Sequence, residues 1–387
     1  MKNTIALAWE NRMVISPHVG ELDTKRSIGV FNEVINKLCD LYQVKPEQVV
    51  SDLHPNYYST KYAKTYAQEN NLSLLQIQHH QAHANMVYDQ YLNQTAIKDD
   101  IPWLVFTWDG TGLGEDKAIW GAEAFYGHYD DWHKVCSIKP FKLQGGDQSA
   151  RNPWRCASSL IWQINKDLET QYSLPEDWII STSDIELSYQ AWKKNINTIS
   201  CSSMGRLFDA ASALIGLGEK SSFEGQGPML LEGLCEDGVG VNQLKIFPKV
   251  NKLNKSNVHR SSDNRTLTPT PKLPHLPLYK HHDLLLADWT ELVHQLMNKN
   301  LSQKQRAIDF HHKIAATLIE QAKQIRKIKG NFKVGLSGGV FQNKYLTELV
   351  LKGLKDEGFI AYLPGKIPYN DAGLVFGQIV YAACIKK

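Results

Sequence analysis

The apolar and polar positions of the first hundred residues switch repeatedly between strand spacing and helix spacing. In the segment 26–42, Ile28, Phe31 and Leu38 recur at a helical period, which predicts a helix. Further helices are predicted at 60–70 and 79–92, and strands at 4–10, 12–16, 48–53 and 72–78. The first two strands are separated by a turn that contains Asn11, which indicates a hairpin. This alternation predicts an α/β layered lobe over residues 1–98.

The same pattern restarts after residue 98. Two apolar strands flank a glycine-rich turn within 102–127, as in the opening hairpin. Residues from about 148 to 240 are predicted to form a helical insertion, and the polar, proline-rich stretch at about 250–280 a mobile loop. The remaining predicted elements are a helix at 302–328, a strand at 332–337, a helix at 343–358, a strand at 359–364 and a helix at 371–385. We therefore expect a second α/β lobe over residues 99–387, with a nucleotide cleft between the lobes.

Composition excludes several classes of protein. The chain is 42% hydrophobic and 21% charged, with a net charge of only +3 and no concentrated basic run, which argues against a nucleic-acid partner. Its six cysteines include no C-x-x-C pair, so neither a disulfide framework nor a cysteine zinc site is expected. The amino terminus lacks the apolar core of a signal peptide, and no apolar run reaches the roughly 18 residues of a membrane span. We expect a cytoplasmic protein without a membrane partner.

The stretch HHQAH contains the first candidate ligands. His79 and His83 are four positions apart, so on a helix their rings share one face and could hold one divalent ion, whereas His80 points elsewhere. A pair of helical histidines is more often solvated or hydrogen-bonded. The position directly after a predicted strand favours a ligand role, because ligands in α/β folds gather at the carboxyl ends of strands.

Two glycine-rich stretches could bind phosphates. In FTWDGTGLGED an apolar strand ends at Asp109, and Gly110, Gly112 and Gly114 would permit a tight turn with amides facing phosphate oxygens. A plain Asp-Gly hairpin turn is the alternative. In LSGGVFQN a strand is followed by two glycines and a helix, a pattern that is compatible with anion binding or with an ordinary strand-to-helix turn.

Three acidic residues occur in positions that suggest binding. Asp371 could cap the last helix, and capping alone would explain it. Asp209 lies among apolar residues of the segment SSMGRLFDA, where the hydroxyls of a ribose would supply donors, although a surface-facing aspartate is the alternative. Glu224 follows in FEGQ.

Taken together, eight motifs occur in an order that is informative. They are DLHPNYYSTKYA, HHQAH, WDGTGLGEDKAIWGAE, GGDQSARNPWR, SSMGRLFDA, FEGQ, LSGGVFQN and PYNDAGLVFGQ. Their order resembles the carboxy-terminal half of the HypF family of hydrogenase maturation carbamoyltransferases, over nearly the whole chain. The resemblance implies an α/β, two-lobed actin-like and sugar-kinase-like ATPase (ASKHA) fold with an inter-lobe nucleotide cleft, shared with tRNA threonylcarbamoyl transferases and antibiotic O-carbamoyltransferases.

The resemblance also implies a set of site residues. Its metal ligands fall on His79, His83, Asp109 and Asp371, a nitrogen and oxygen set that suits Fe²⁺ or Zn²⁺. Its nucleotide pocket falls on Asp109, Gly110, Thr111, Gly112, Asp209, Glu224, Gly227, Gly338, Gly339 and Asn343. The nucleotide would be ATP, AMP or carbamoyl-AMP, with or without Mg²⁺. Candidates for a general base are His18, Lys2 and Asn3.

The implied reaction is transfer of a carbamoyl group from carbamoyl-AMP to the carboxy-terminal cysteine of HypE, a step in making the cyanide ligand of nickel–iron hydrogenases. The family's acylphosphatase, cysteine-rich zinc and adenylate-forming domains are not recognisable in this sequence. Carbamoyl-AMP would therefore come from a separate or upstream adenylate-forming domain.

Three other functions remain open. The chain could carbamoylate a small molecule on oxygen, but SSMGRLFDA and LSGGVFQN favour the hydrogenase branch. A tRNA-modifying role is disfavoured because the SGGH phosphate turn of that group is missing. The chain could also be a non-catalytic docking subunit that binds metal and nucleotide, and the presence of Asp109, Asp371 and Asn343 argues against such a loss of activity.

Overall fold

A computed structural model describes most of the chain. The described residues are 3–95, 100–129, 131–146, 148–235 and 274–385. Most of the stretch predicted to be a mobile loop, up to residue 273, lies outside them, as does Lys2.

Strands and helices alternate along the first third of the chain, and helices dominate the middle. The strands are β1 (Ala6–Trp9), β2 (Arg12–Ile15), β3 (Gln48–Asp52), β4 (Ser73–Ile77), β5 (Trp103–Leu113), β6 (Ile119–His128), β7 (Asp131–Ile138), β8 (Phe141–Gln144), β9 (Thr198–Cys201), β10 (Leu278–His281), β11 (Leu284–Ala287), β12 (Lys333–Ser337) and β13 (Ala361–Tyr362). The helices are α1 (Lys25–Tyr42), α2 (Tyr58–Glu69), α3 (His79–Thr95), α4 (Gln148–Arg151), α5 (Pro153–Asp167), α6 (Thr182–Lys193), α7 (Met204–Ile215), α8 (Gln226–Gly233), α9 (Thr290–Met297), α10 (Gln303–Lys329), α11 (Lys344–Asp356) and α12 (Leu374–Ile385). Short 3-10 helices lie at Gly339–Gln342 and Asp371–Gly373.

The strands form one large mixed sheet and two small ones. The large sheet has the order β10-β11-β7-β6-β5-β12-β13, with β8 and β9 attached beside β6. β12 pairs in parallel with β5 and with β13, whereas β5, β6 and β7 are antiparallel. β1 and β2 form an antiparallel pair, and β3 and β4 a parallel pair.

The main core lies between the large sheet and the helices of the second half. Phe106, Leu336 and Phe310 are buried there. Helix α7 has all twelve of its residues buried, which follows from its composition, since its sequence MGRLFDAASALI contains only two charged residues. The side chain of Ser203 accepts a hydrogen bond from the backbone N–H of Arg206 and caps the amino terminus of the helix.

The last helix returns to the first part of the chain. α12 packs against α3, and it also contacts β1 and β3. The contact with α3 requires a glycine, because a Cβ atom on Gly377 would collide with the carbonyl oxygen of Ala82. This close approach brings the segment before α12, which contains Asp371, next to the amino-terminal turn of α3.

Most predicted elements are confirmed, with two corrections. The strand that was expected to end at Asp109 continues through Leu113, with a shift in register between Trp108 and Gly112, and the reversal follows at Gly114, where its N–H bonds to Ala118. The segment predicted as a loop up to residue 280 includes the first residues of β10. Within the described residues no helix has both the length and the apolar composition that crossing a membrane requires.

Candidate metal centre and adjoining cleft

Four side chains converge at the amino-terminal end of α3. His79 and His83 lie one turn apart on this helix, Asp109 lies on β5, and Asp371 lies in the 3-10 helix before α12. One ligand atom from each residue lies within 4.8 Å of the others. The Nε2 atom of His83 is 3.1 Å from Asp109 Oδ2 and 3.5 Å from Asp371 Oδ1, and the Nε2 atom of His79 is 3.6 Å and 3.5 Å from the same two atoms.

Each histidine is oriented by a hydrogen bond on its other nitrogen. His79 Nδ1 is 2.8 Å from Asp52 Oδ2, and Asp52 is fixed in turn because its Oδ1 accepts the N–H of His54. His83 Nδ1 is 3.0 Å from the hydroxyl of Ser337, which donates to the carbonyl of Tyr369. Both rings therefore carry hydrogen on Nδ1 when neutral and direct the lone pair of Nε2 into the centre, as metal-ligating histidines do.

The electrostatics of the group favour a cation. Burial opposes a charge on His79, but contacts with Asp109, Asp371 and Asp52 outweigh it and hold the pKa of His79 well above its usual value. Burial would raise the pKa of Asp109, but the nearby rings of His79 and His83 hold that pKa well below its usual range. The carboxylates thus stabilise positive charge in the centre, carried either by protons on the rings or by a cation bound in place of those protons.

The residues fit a divalent metal. His79 Nε2 and Asp371 Oδ1 are buried and lack a hydrogen-bond partner in the described part of the chain. Buried polar atoms of this kind need a partner, and a cation between the four residues would supply one. Two imidazole nitrogens and two carboxylate oxygens are a donor set that suits zinc or iron(II). Asn370, and not Asp371, caps the 3-10 helix that precedes α12, because the Asn370 side chain accepts a hydrogen bond from the N–H of Ala372.

A cavity of about 470 Å³ opens beside the centre, and its size is that of small-ligand sites. Asp109 and Asp371 belong both to this cleft and to the four-residue group. The other predicted residues that line the cleft are Gly110, Asp209, Glu224, Gly339 and Asn343. All lining residues come from the part of the chain after residue 99, so this cleft does not lie between the predicted lobes 1–98 and 99–387. The two histidines do not line it and are connected to it through Asp109 and Asp371.

Asp209 is buried rather than surface-facing, and its partner is an arginine. Arg206 Nη1 lies 2.7 Å from Asp209 Oδ2, and Arg206 Nε donates to the carbonyl of Gly110 at 3.3 Å. Burial raises the pKa of Asp209 to about 6, although the positive charge of Arg206 opposes that rise. Arg206 therefore links the carboxylate to the strand segment that follows Asp109.

Asn343 is held in one orientation at the edge of the cleft. Its Oδ1 accepts the N–H of Leu346 and caps α11, while its Nδ2 lies 2.9 Å from His311 Nε2. The Nδ1 of His311 lies 2.8 Å from the carbonyl of Ala307 and donates to it, so Nε2 is the acceptor for Asn343. Burial lowers the pKa of His311 to about 4, which keeps this ring neutral at physiological pH.

Several predicted nucleotide contacts do not line the cleft. Thr111 and Gly112 belong to the continued strand, and a Cβ on Gly112 would collide with the ring of His80. Gly227 packs α8 against Ser212 of α7. Gly338 has φ of 101° and lies against the backbone of Trp108. At Gly112, Gly227 and Gly338 the protein's own atoms therefore leave no room for a Cβ atom. This reason does not apply to Thr111, which has a side chain.

Two of the three candidates for a general base, His18 and Asn3, do not line the cleft. His18 is exposed, and its Nδ1 contacts the backbone of Asn3 at 2.9 Å. Asn3 borders a different cavity, described below, and Lys2 is outside the described residues. A role for these residues stays a prediction.

Sequence reasoning missed Asp52, Arg206 and His311 as parts of the site. Asp52 ends a predicted strand, which is a signal that could have been used. Arg206 lies three positions before Asp209, so a helical pairing of the two was foreseeable. His311 had no such local signal, because its partner Asn343 lies on another element.

Comparison with known proteins places the chain in a family. Residues 105–378 match the family described as "Carbamoyltransferase, Kae1-like Domain, second subdomain", and residues 1–89 match the HypF Kae1-like domain. The chain is 30% identical to the carbamoyltransferase HypF of Synechocystis sp., over 98% of this chain and 46% of that protein. A HypF homolog of Cupriavidus necator is 25% identical, over 99% of this chain and 89% of that protein.

Solved structures agree with this assignment. The crystal structure of full-length HypF in the phosphate- and nucleotide-bound form has a TM-score of 0.79 and 27% identity, and the match covers 100% of this chain and 45% of that one. HypF of T. kodakarensis shares the fold with a TM-score of 0.80 at 23% identity. The chain spans about half the length of relatives such as the Synechocystis protein. With its central and carboxy-terminal part matching one family description and its start matching the other, the chain belongs to the HypF carbamoyltransferase family.

Proposed function

We propose that this chain transfers a carbamoyl group from carbamoyl-AMP to the carboxy-terminal cysteine of HypE, in the synthesis of the cyanide ligand of nickel–iron hydrogenases. Membership of the HypF family supports the reaction class. The donor would be supplied by a separate or upstream adenylate-forming domain. The related HypF crystal structure in a phosphate- and nucleotide-bound form supports a nucleotide as the ligand.

One observation carries the proposal: Asp109 and Asp371 belong both to the four-residue centre and to the lining of the cleft. A nucleotide derivative in the cleft would therefore have its reactive end at the centre. We propose that His79, His83, Asp109 and Asp371 hold one Fe²⁺ or Zn²⁺. When bound, such a cation would act as a Lewis acid toward a carbamoyl carbonyl oxygen.

The chain's own residues would bind and orient the nucleotide. The carboxylates of Asp209 and Glu224 line the cleft and are suited to accept hydrogen bonds from ribose hydroxyls. Gly339 allows a close approach to the centre, since a Cβ there would lie 2.9 Å from Asp109 Oδ1. The fixed amide of Asn343 would contribute to the opposite edge.

The attacking thiol would come from the partner. No cysteine lines the cleft among the described residues. Cys156 and Cys201 are buried, and burial raises the pKa of both thiols, which keeps them protonated and unreactive. The proposal therefore assigns the attacking thiol to the partner and not to a cysteine of the described residues.

We also propose that the first and second lobes, 1–98 and 99–387, adopt the two-lobed ASKHA arrangement. The TM-scores of 0.79 and 0.80 to HypF structures support it, and so does the packing of α3 against β5 and β12, which joins the two parts at the centre.

The first test combines metal content, nucleotide affinity and carbamoyl transfer. The double variant His79→Ala/His83→Ala is compared with His133→Ala, which removes an exposed histidine of β7. We expect about one iron or zinc per wild-type chain, and loss of the metal and of transfer from carbamoyl-AMP to HypE in the double variant alone. Nucleotide affinity is measured with AMP on the same samples.

Two results would contradict the proposal. Wild-type protein that carries no metal after iron or zinc loading, yet binds AMP as well as the double variant does, would reject the metal site. Metal-loaded protein that binds AMP but gives no thiocarboxamide on HypE would reject the transfer reaction, and a non-catalytic docking subunit would then be the better description.

A further inference from the structure

A second cavity lies in the first part of the chain, between β1 and β3. β1 contributes Ala6 and Leu7 to its lining, and β3 contributes Val49 and Val50. Helices α1, α2 and α12 add further apolar side chains, which are Phe31, Ile35, Leu38, Ala63, Leu374, Val375 and Ile379. One end of the cavity reaches Asp52, His79 and Asp371. An apolar space of this kind would normally be filled in a folded protein.

The strands on either side have free edges. β1 pairs only with β2, and β3 pairs only with β4, within the residues that the structure describes. A lone two-stranded hairpin is marginally stable in water, and parallel strands occur almost always inside larger sheets. Two separate pairs flanking one apolar cavity therefore have the form of a sheet that lacks a strand between them.

The direction of the backbone groups agrees with this description. The N–H of Ser16 bonds to the carbonyl of Ile5, so the alternation of an antiparallel ladder turns the backbone groups of Ala6 away from β2. The N–H of Leu53 bonds to the carbonyl of Ile77, which places the outward-facing groups of β3 at Val50. Ala6 and Val50 both line the cavity.

The apolar face of helix α1 is also incompletely buried. Its apolar positions form a helical stripe, yet Phe31 is the one buried residue of this 18-residue helix in the structure. Ile28, Ile35 and Leu38 are only half-buried. The stripe is thus exposed in part toward the cavity, where the side chains of an added strand would cover it.

We propose that this cavity is a strand-acceptor site, which binds an extended apolar segment donated by a partner polypeptide as a β-strand between β1 and β3. Addition of a strand to free edges supplies main-chain hydrogen bonds, and alternate side chains fill the apolar space. Relatives such as the Synechocystis protein have more than half of their length outside the region that this chain matches, so a polypeptide equivalent to that remainder is the donor to which we commit. The inference does not depend on the transfer reaction.

Strand donation would also act on the metal centre. Asp52, the last residue of β3, lies two positions after Val50 and orients His79. Pairing at Val50 would order β3 up to this carboxylate.

The test uses a tethered strand as the probe. About seven residues of alternating valine and threonine are joined ahead of Met1 through an Asn-Gly turn, which gives a millimolar effective concentration. Amide hydrogen exchange is measured at Ala6 and Val50, with thermal unfolding alongside. We expect exchange at both amides to slow by about tenfold or more, because each gains a hydrogen bond.

The controls distinguish strand pairing from a general effect of adding residues to the amino terminus. The same extension with proline in place of threonine loses every second backbone N–H and cannot pair on both sides as a central strand, so it should leave both amides unprotected. Protection of Ala6 without Val50 would show a longer hairpin that does not bridge the gap, and would overturn the proposal, as would protection by the proline extension. The free valine-threonine peptide at millimolar concentration should protect both amides of the unextended chain, and protection by the tethered form alone would overturn donation by a separate polypeptide.

Discussion

Replacing Asp52 by asparagine tests whether the hydrogen bonds around the centre control metal affinity. The carboxylate is buried and serves two donors, His79 Nδ1 at 2.8 Å and the N–H of His54 at 2.8 Å. Asparagine keeps the volume, but it has one oxygen and one NH₂ group. Whichever way the amide is turned, one of the two donors faces another donor, so either the orientation of His79 or that of residue 52 is lost.

The expected effect is a rise of about 10- to 100-fold in the metal dissociation constant, the usual cost of losing a partner that orients a ligand. This range corresponds to about 1.4 to 2.7 kcal/mol of binding free energy. The assay is competition for Zn²⁺ against a chromophoric chelator, with circular dichroism to confirm folding. Asp131→Asn is the matched control, because Asp131 contacts His133 at 3.0 Å on the protein surface and should change nothing. Equal affinity in wild type and Asp52→Asn would refute the argument.

Three further predictions concern the same architecture. Ser337→Ala removes the acceptor of His83 Nδ1 and should weaken Zn²⁺ binding by about tenfold in the chelator assay, and an unchanged constant would contradict it. Burial raises the pKa of Asp209 to about 6, and Asp209 would bind ribose as the carboxylate. AMP affinity, measured by titration calorimetry, should therefore fall by about tenfold per pH unit below pH 6 and stay constant above it. Asp209→Asn should abolish this pH dependence. Gly377→Ala forces a Cβ atom into the carbonyl of Ala82 and should lower the free energy of unfolding by about 1–3 kcal/mol in urea titrations. The control Gly29→Ala lies in an open position on α1 and should be neutral or stabilising. Equal stability of the two variants would refute the packing argument.

The sequence predicts the elements and the convergence of four side chains better than it predicts the surroundings of these side chains. His79 and His83 share a helix face by spacing alone, and the family resemblance supplied Asp109 and Asp371. The orienting carboxylate of Asp52 could not be assigned in this way, because its contact with His79 depends on how β3 and β4 pair in three dimensions.

Glycines show the limit of the sequence most clearly. A glycine-rich stretch indicates that something approaches the backbone closely, but it does not indicate what. Gly110 and Gly339 line the cleft, whereas Gly112 accommodates the ring of His80 and Gly338 the backbone of Trp108. Both kinds of glycine look alike in a sequence, since the steric requirement is the same.

The centre depends on contacts between parts of the chain that are far apart in sequence. Asp371 faces the two histidines only because α12 packs closely on α3, and this approach requires the absence of a side chain at Gly377. The same helix α12 lines the cavity between β1 and β3, and that cavity ends at Asp52, His79 and Asp371. We therefore expect metal affinity and the order of the first part of the chain to be coupled through these shared residues. Filling the cavity with a strand should tighten metal binding without any new ligand, and loosening α12 should weaken it without removing one.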